Sequence, residues 1–190
     1  LASKVILDMT KSASNWRNEF LVKRMFWGEQ IDDGQYNRFG KGSFDYVKGG
    51  GGSGDVTVSY VHNLYDGFQM LHDAVSLYEP LCDFYRANVN EQYDQGSVPG
   101  MTTEPALSAE LLAGASSYTD TAVIVLSRFS GEGWDRSSIE YNGEYNPWET
   151  ETSMPKISGE IFPDGDFYLT KEESAMIAQV KQHFSRIAVV

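Results

Sequence analysis

The sequence has 190 residues, with 15 Lys and Arg against 27 Asp and Glu, and 41% of its residues are apolar. This length suits one domain with a proper core, or at most two small ones. A formal charge of −12 argues against binding to nucleic acid, because the chain has no excess of cations to displace phosphate counterions. Its apolar runs also fall short of the roughly 18 residues that a membrane-spanning helix needs, which argues against a membrane protein.

Cysteine and histidine usage narrows the chemistry further. The single cysteine, Cys82, excludes an internal disulfide framework and a cysteine-rich zinc site. The histidines, His62, His72 and His183, show no helical i, i+4 pairing, so we expect no metal site and no other cofactor. The opening residues lack the pattern of a signal peptide, and together with the low cysteine content they favour a cytoplasmic location.

The first half of the chain contains two segments with a secondary-structure signal. Residues 56–61 (VTVSYV) are typical of a strand or of an extended stretch, and both interpretations remain open. Residues 64–86 carry apolar residues at helical spacing, and Pro80 within them predicts a kink or a break. Cys82 falls within this apolar pattern, so we interpret it as a small core residue rather than a nucleophile.

The second half alternates helices with apolar strands. Residues 105–118 have leucines at helical spacing, and the run 121–126 (TAVIVL) is typical of a strand buried on both faces of a parallel sheet. Residues 127–169 have little periodicity and predict a long loop. A capping-box pattern at 170–173 begins another helix, and residues 187–190 follow it as a second buried run.

This order of elements predicts the fold class. Helices that alternate with apolar strands indicate a layered α/β sandwich, with a mostly parallel sheet flanked by helices. Because the sequence stops at Val190 inside the last apolar run, we expect the sandwich to be incomplete at its C-terminal end.

A glycine-rich stretch at 48–55 (KGGGGSGD) is the first candidate site. Consecutive glycines let the backbone come close to a ligand. The stretch lacks the Gly-Lys-Ser/Thr ending of a phosphate-binding loop, and Asp55 would repel a phosphate, which argues against a nucleotide-binding domain. Composition alone favours a surface turn.

The second candidate site is the string 127–136 (SRFSGEGWDR), which follows TAVIVL directly. Ligands of open α/β sheets bind at the carboxyl ends of strands, where this string begins. Glu132 has a glycine on each side, so a substrate could come close to its carboxyl group. Trp134 offers a flat apolar surface for a sugar ring, and Asp135 and Arg136 can orient hydroxyl groups. A surface turn with an ordinary salt bridge is the alternative.

Three segments, in order, resemble the second domain of glycoside hydrolase family 3, which includes β-glucosidases and related exo-acting β-glycosidases. They are FGKGSFDYVKGGGGSGDVTVSYVHNLYDGF at 39–68, SRFSGEGWDR, and GDFYLTKEES at 165–174 leading into the strand IAVV. The resemblance covers residues 39–190 as a partial α/β sandwich domain. Residues 1–38 form a lead-in segment that matches poorly.

The resemblance implies part of a retaining exo-β-glycosidase, most simply a β-glucosidase, that hydrolyses terminal non-reducing β-D-glycosyl residues. In this family a TIM-barrel domain supplies an Asp nucleophile and the sandwich domain supplies the general acid/base, a role that carries over to Glu132. The substrate would be a β-glucoside or an oligosaccharide. Five further residues would shape its site: Gly52, Ser53, Trp134, Asp135 and Arg136.

The barrel and its nucleophile are not in this sequence, and neither are the final strands and closing helix of the family's sandwich domain. We therefore expect the 190-residue chain alone to lack glycosidase turnover. The alternative from another class is a non-catalytic carbohydrate-binding or interaction module with the same fold, in which Glu132 is only a polar contact.

Overall fold

The computed structural model describes residues 35–45, 57–71, 75–128 and 154–190. Within these ranges, four parallel strands form one open sheet in the order β2-β1-β3-β4. The strands are β1 (Gln35–Phe39), β2 (Ser76–Leu77), β3 (Thr121–Ile124) and β4 (Arg186–Val189). The parallel sheet and the helices between its strands confirm the predicted α/β fold class.

Helices follow the strands along the chain. A 3₁₀ turn (Lys41–Ser43) comes directly after β1. The helices of the described ranges are α1 (Leu64–Gln69), α2 (Glu79–Asp94), α3 (Ala109–Tyr118), α4 (Met154–Ile161) and α5 (Lys171–His183). None of the helices in the described ranges is long and apolar enough to cross a membrane.

Two apolar clusters cover the two faces of the central strands. Successive strand residues point to opposite faces, so Phe39 and Ile124 lie in a cluster with α2, α3 and α5. Tyr36 and Val123 lie in the other cluster, with Phe68 of α1. All four residues of β3 are buried, which confirms that the TAVIVL run contains a strand covered on both faces. Each fully buried large side chain contributes about 1.5–3 kcal/mol.

Over its described residues, 64–71 and 75–86, the segment 64–86 contains two helices and a strand rather than one kinked helix. Helix α1 ends at Gln69, β2 follows, and α2 begins at Glu79. Pro80 lies in the first turn of α2, where its missing N–H leaves no helical hydrogen bond unmade. Pro80 therefore marks the beginning of a helix. Of the two alternatives, the kink was wrong, and the break in the helical segment is confirmed, although it lies before Pro80.

Two helix boundaries have local causes. Helix α3 begins at Ala109 rather than near residue 105, because the Ser108 side chain caps it by accepting a hydrogen bond from Leu111 N–H at 3.1 Å. The capping box predicted at the start of α5 is confirmed: Thr170 accepts from Glu173 N–H, and the Glu173 carboxylate accepts from Thr170 N–H.

Three other expectations differ from the structure. Residues 57–61 form no strand, so the strand alternative for 56–61 is wrong over the residues described. Helix α4 lies within the predicted long loop 127–169. Strand β4 forms, but its expected burial is wrong: it lies at the edge of the described sheet, and Val189 is 59% exposed.

Strand β1 begins at Gln35, so the described sheet includes residues ahead of position 39.

The turn after β1 passes very close to the end of β3. Val125 N–H donates to the carbonyl of Phe39 at 2.8 Å, which brings the two chains together. Gly40 has a positive φ of 99°, and a Cβ at this position would collide with the carbonyl oxygen of Val125. Glycine is therefore required here for two reasons, its backbone conformation and its lack of a side chain.

Replacing Gly40 by Ala should destabilise the protein much more than replacing Gly96 by Ala. Gly96 also has a positive φ, of 100°, but no atom lies within 4 Å of a Cβ added there. Both variants bear backbone strain, and only G40A must also push β3 away. We expect G40A to lose at least about 2 kcal/mol more free energy of unfolding than G96A in urea denaturation. Equal losses would show that the close approach of the two chains is not required.

Candidate functional site

The carboxyl ends of β1 and β3 lie side by side and define the candidate site. Phe39 is paired with Ile124, so the two strands end at the same level. The 3₁₀ turn follows one strand, and residues 125–128 follow the other. Open α/β sheets bind ligands at such an edge. We call this region the carboxyl edge.

The string 127–136 leaves the sheet from this edge, and Ser127 and Arg128 are its described residues. The other site residues expected from sequence lie outside the described residues: Gly52, Ser53, Glu132, Trp134, Asp135 and Arg136. Their roles stay predictions. The structure does describe the support from which the string departs.

Arg128 forms a two-pronged ion pair with Glu173. Its Nη1 and Nη2 atoms donate to Glu173 Oε1 and Oε2, each at 2.7 Å. The Glu173 side chain is 2% exposed, so the pair is shielded from water on that side. The same carboxylate caps α5 by accepting from Thr170 N–H at 2.9 Å. The exit of β3 is thereby tied to the beginning of α5.

Arg128 also holds the segment that precedes α5. Its Nε and Nη2 atoms donate to the carbonyl oxygens of Asp166 and Tyr168, both at 2.8 Å. Its guanidinium lies over the ring of Phe162, 4.2 Å from the ring centre. A guanidinium is suited to this combination because its planar face stacks while its edges donate.

On the β1 side, the buried carboxylate of Asp45 accepts hydrogen bonds from several neighbouring segments of the chain. Asp45 accepts hydrogen bonds from the Tyr93 hydroxyl at 2.6 Å, Gly100 N–H at 2.6 Å and the Thr102 hydroxyl at 2.6 Å. Lys41 Nζ lies 3.4 Å from it and also donates to the carbonyl of Thr102. Burial alone would raise the pKa of Asp45, but the Lys41 charge and these hydrogen bonds lower it below its ordinary 3.8.

Glu104 joins the same turn to α2. Its carboxyl group accepts from Lys41 N–H at 2.9 Å and from the Tyr85 hydroxyl at 2.8 Å. Burial raises the pKa of Glu104 from 4.5 to about 7, although both hydrogen bonds oppose the change. Burial also lowers the pKa of Lys41. The carboxyl edge therefore carries a group that titrates near neutral pH.

Sequence reasoning missed most of these supporting residues. It named no role for five of them: Lys41, Asp45, Thr102, Glu104 and Arg128. The available signals were a Lys and an Asp spaced i, i+4 directly after β1, and an Arg within the string 127–136. The contacts between distant segments leave no spacing pattern in the sequence.

Cys82 and metal binding complete the description of possible chemistry. Cys82 is a free, buried thiol, as predicted, and burial raises its pKa to about 11. In the ranges that the structure describes, no group of three or more His, Cys, Asp or Glu could hold a metal ion.

An open parallel sheet with polar residues gathered at the carboxyl ends of its central strands defines an α/β domain, and the carboxyl edge is where domains of this class bind ligands. No protein-family model matches the chain. Over 152 residues, the chain is 49% identical to β-glucosidase A of Butyrivibrio fibrisolvens, a match that covers 80% of this chain and 18% of that protein. It is 27% identical to a β-glucosidase of Ruminococcus albus over 158 residues, covering 80% of this chain and 14% of the relative.

Solved structures give the same result. A β-glucosidase of Paenibacillus barengoltzii matches with a TM-score of 0.60 and 25% identity, over 82% of this chain and 15% of the other. β-Glucosidase 3B of Thermotoga neapolitana, solved with α-D-glucose, has the same fold with a TM-score of 0.63 and 24% identity, over 84% of this chain and 20% of the other. The chain spans less than a fifth of the curated relatives' length. It is thus similar to one segment of β-glucosidases, which confirms the resemblance found in the sequence.

Glu104 should make the stability of the protein depend on pH. The folded protein retains on Glu104 a proton that the unfolded chain releases at its ordinary pKa of 4.5. The stability from this group is therefore complete below the unfolded pKa and is lost as the pH rises through the folded value of about 7. Glu104→Gln should remove the loss, since an amide can accept from Lys41 N–H and donate to the Tyr85 hydroxyl.

The measurement is the free energy of unfolding in urea between about pH 5 and about pH 8, where we expect the parent protein to lose on the order of 1–3 kcal/mol more than E104Q. Glu110→Gln, at an exposed site on α3, is the matched control and should keep the parental slope. An E104Q slope equal to the parental one would contradict the titration of this buried carboxyl.

Proposed function

We propose that this chain supplies the acid/base side of the active site of a retaining exo-β-glycosidase, most simply a β-glucosidase. The observation that carries the proposal is its similarity to β-glucosidases over most of its own length. In such an enzyme the substrate is a β-glucoside or an oligosaccharide, and the bond cleaved joins a terminal non-reducing β-D-glycosyl residue to its neighbour.

Glu132 is the proposed general acid/base. Retaining hydrolysis needs two carboxyl groups about 5–5.5 Å apart, one to attack the anomeric carbon and one to protonate the leaving oxygen. The acid then becomes the base that activates water. Glycines on both sides of Glu132 leave room for the substrate beside its carboxyl group.

The position of Arg128 supports this role. Glu132 follows Arg128 closely along the chain, and four residues span at most about 14 Å even when fully extended. Because Arg128 is fixed at the carboxyl edge, the chain length keeps Glu132 within reach of the region where α/β domains bind ligands.

The nucleophile of the proposed reaction comes from a TIM-barrel domain that is not in this chain. We place a catalytic Asp there because the family that the sequence resembles divides its active site in this way. Further contacts to the sugar come from the residues that the resemblance assigns to its site, namely Gly52, Ser53, Trp134, Asp135 and Arg136.

Replacing Glu132 by Ala in the protein that also carries the barrel tests the proposal. Substrates with poor leaving groups, such as cellobiose, need the acid and should lose on the order of 10²–10⁴-fold in kcat/KM. Activated dinitrophenyl glucosides need little acid, so their first step should be nearly unaffected, and azide should restore their turnover. Glu110→Ala is the control. Equal losses for both substrate types, with no effect of azide, would remove Glu132 from this role.

The 190-residue chain alone should show no turnover, because the proposed nucleophile is absent from it. The measurement is nitrophenol release from an aryl β-glucoside by the purified chain, with circular dichroism to verify folding and the barrel-containing protein as positive control. Hydrolysis by the folded chain alone would contradict the divided active site. Absence of hydrolysis from the longer protein as well would favour a carbohydrate-binding module.

A further inference from the structure

We infer that Phe167 and Tyr168 form an aromatic platform at the carboxyl edge, on which a pyranose ring of a β-glucosidic oligosaccharide stacks. The inference rests on the proposed function for the class of its ligand. It goes beyond that function by assigning a sugar-binding surface to residues that the family resemblance leaves without a role. The platform and the residues that hold it lie within the described ranges 75–128 and 154–190.

The side chains of Phe167 and Tyr168 lie mostly in water. Phe167 is 69% exposed and Tyr168 is 55% exposed, and Leu169 beside them is 42% exposed. Within the described ranges, Phe167 is the most exposed of the large apolar side chains. Contiguous exposed apolar side chains mark binding surfaces, whereas scattered ones are ordinary. These three consecutive residues therefore qualify as a candidate binding surface.

Two successive turns place the rings. Gly165 N–H donates to the carbonyl of Phe162 at 2.9 Å, and Tyr168 N–H donates to the carbonyl of Gly165 at 3.1 Å. Gly165 has a positive φ of 107°, a conformation that glycine adopts without steric cost. Phe167 therefore lies within the second turn, directly before its last residue.

The backbone beneath the rings is anchored on both sides of Phe167. Arg128 donates to the carbonyl oxygens of Asp166 and Tyr168, both at 2.8 Å. The Asp166 side chain is buried and accepts from the Ser158 hydroxyl of α4 at 2.6 Å. These anchors use backbone atoms and a buried side chain, and they do not use the exposed rings. The platform is thus held in place before a ligand arrives, which lowers the cost of ordering it on binding.

The location and the chemistry of the platform favour a sugar ligand. Arg128 follows β3 at the carboxyl edge, so its hydrogen bonds bring residues 166–168 to the edge where open α/β sheets bind ligands. The C–H groups on one face of a pyranose ring pack against an aromatic face, while the hydroxyl groups of the sugar stay in water. Phe167 and Tyr168 offer two such aromatic faces next to each other in the chain.

The size of the platform also fits a sugar better than a protein. The exposed apolar side chains of residues 167–169 present together on the order of 300 Å². A stable protein interface buries about 800 Å² on each partner. The exposed residues Asp164 and Lys171 border the platform on either side along the chain. One or two sugar rings would cover a surface of this extent.

The test is a titration of the ¹⁵N-labelled chain with cellotetraose, followed through the amide resonances of residues 165–170. The variants are Phe167→Ala, Tyr168→Ala and Tyr168→Phe, the last of which keeps the ring. None of them removes a backbone anchor, so thermal unfolding should be nearly unchanged. The matched control is Tyr60→Ala, because Tyr60 is 59% exposed and precedes α1, which packs on the other face of the sheet. Glucitol, an open-chain polyol without a ring, is the control ligand.

We expect cellotetraose to shift the resonances of residues 165–170 saturably, and F167A and Y168A each to weaken its binding by about 3–10-fold. Y168F and Y60A should bind within about 2-fold of the parent, and glucitol should cause no saturable shift. Absence of a saturable shift at residues 165–170 would overturn the inference, as would equal affinities of F167A, Y168A and the parent. Equal weakening by Y168F and Y168A would also overturn it, because the ring would then not be the group that binds.

Hydrolysis by the barrel-containing protein separates the inference from the proposed function. If that protein cleaves cellobiose and depends on Glu132 as proposed, while the platform variants bind cellotetraose like the parent, the inference alone fails. If the chain binds cellotetraose through Phe167 and Tyr168, while the barrel-containing protein cleaves no β-glucoside, the proposed function fails. The platform would then belong to a carbohydrate-binding module.

Discussion

The parallel pairing of β1 with β3 is the interaction on which the rest of the structure depends. It ends both central strands at one level and brings the turn after β1 against the chain leaving β3. A glycine at position 40 is needed to let the two segments come so close. Apolar clusters then cover both faces of the pair, so polar side chains collect where the faces end, at the carboxyl edge.

Burying a charge at this edge costs free energy unless the charge has an opposite charge or hydrogen bonds beside it. Three acidic side chains lie at this edge, each in a different environment. Glu173 is matched by the Arg128 fork, and Asp45 by Lys41 together with several hydrogen bonds. Glu104 instead has a pKa raised to about 7, so near neutral pH its population is divided between neutral and charged forms. The ion pairs of Glu173 and Asp45 hold their segments in place, whereas the titration of Glu104 makes the stability of the turn after β1 depend on pH.

Much of the fold could be predicted because its signals are local. The β-branched TAVIVL run and the capping box at Thr170 depend on neighbours in sequence, and both are found where they were expected. The division of 64–86 around β2 was missed because a strand as short as Ser76–Leu77 leaves no periodic pattern. Asp166, Tyr168 and Glu173, which bind Arg128 by hydrogen bonds, lie 38 to 45 residues away in sequence, and nothing in the spacing identifies them. The family resemblance assigned a role to Glu132 but none to Arg128.

Two arginines, the buried Arg38 and the partly exposed Arg128, show how the carboxyl edge differs from the layer beside it. Arg38 of β1 is 1% exposed, and its guanidinium nitrogens find no hydrogen-bond partner in the structure as described. It lies instead over the rings of Phe44 and Tyr65, 4.7 and 5.0 Å from their centres. Burial lowers its pKa to about 10, so it stays charged at neutral pH, stabilised by ring faces.

Attraction to a ring face varies little as the guanidinium slides or turns over it, so the contacts of Arg38 hold two layers together without setting an angle. Hydrogen bonds to a carboxylate fork weaken steeply when the donors tilt. Arginine therefore does two different things in this structure. Arg38 holds the sheet and α1 together, and Arg128 fixes the orientation of its own contacts at the end of β3. Arg128 makes its directional contacts from within the string 127–136, while the undirected contacts of Arg38 lie within the packing of the sheet.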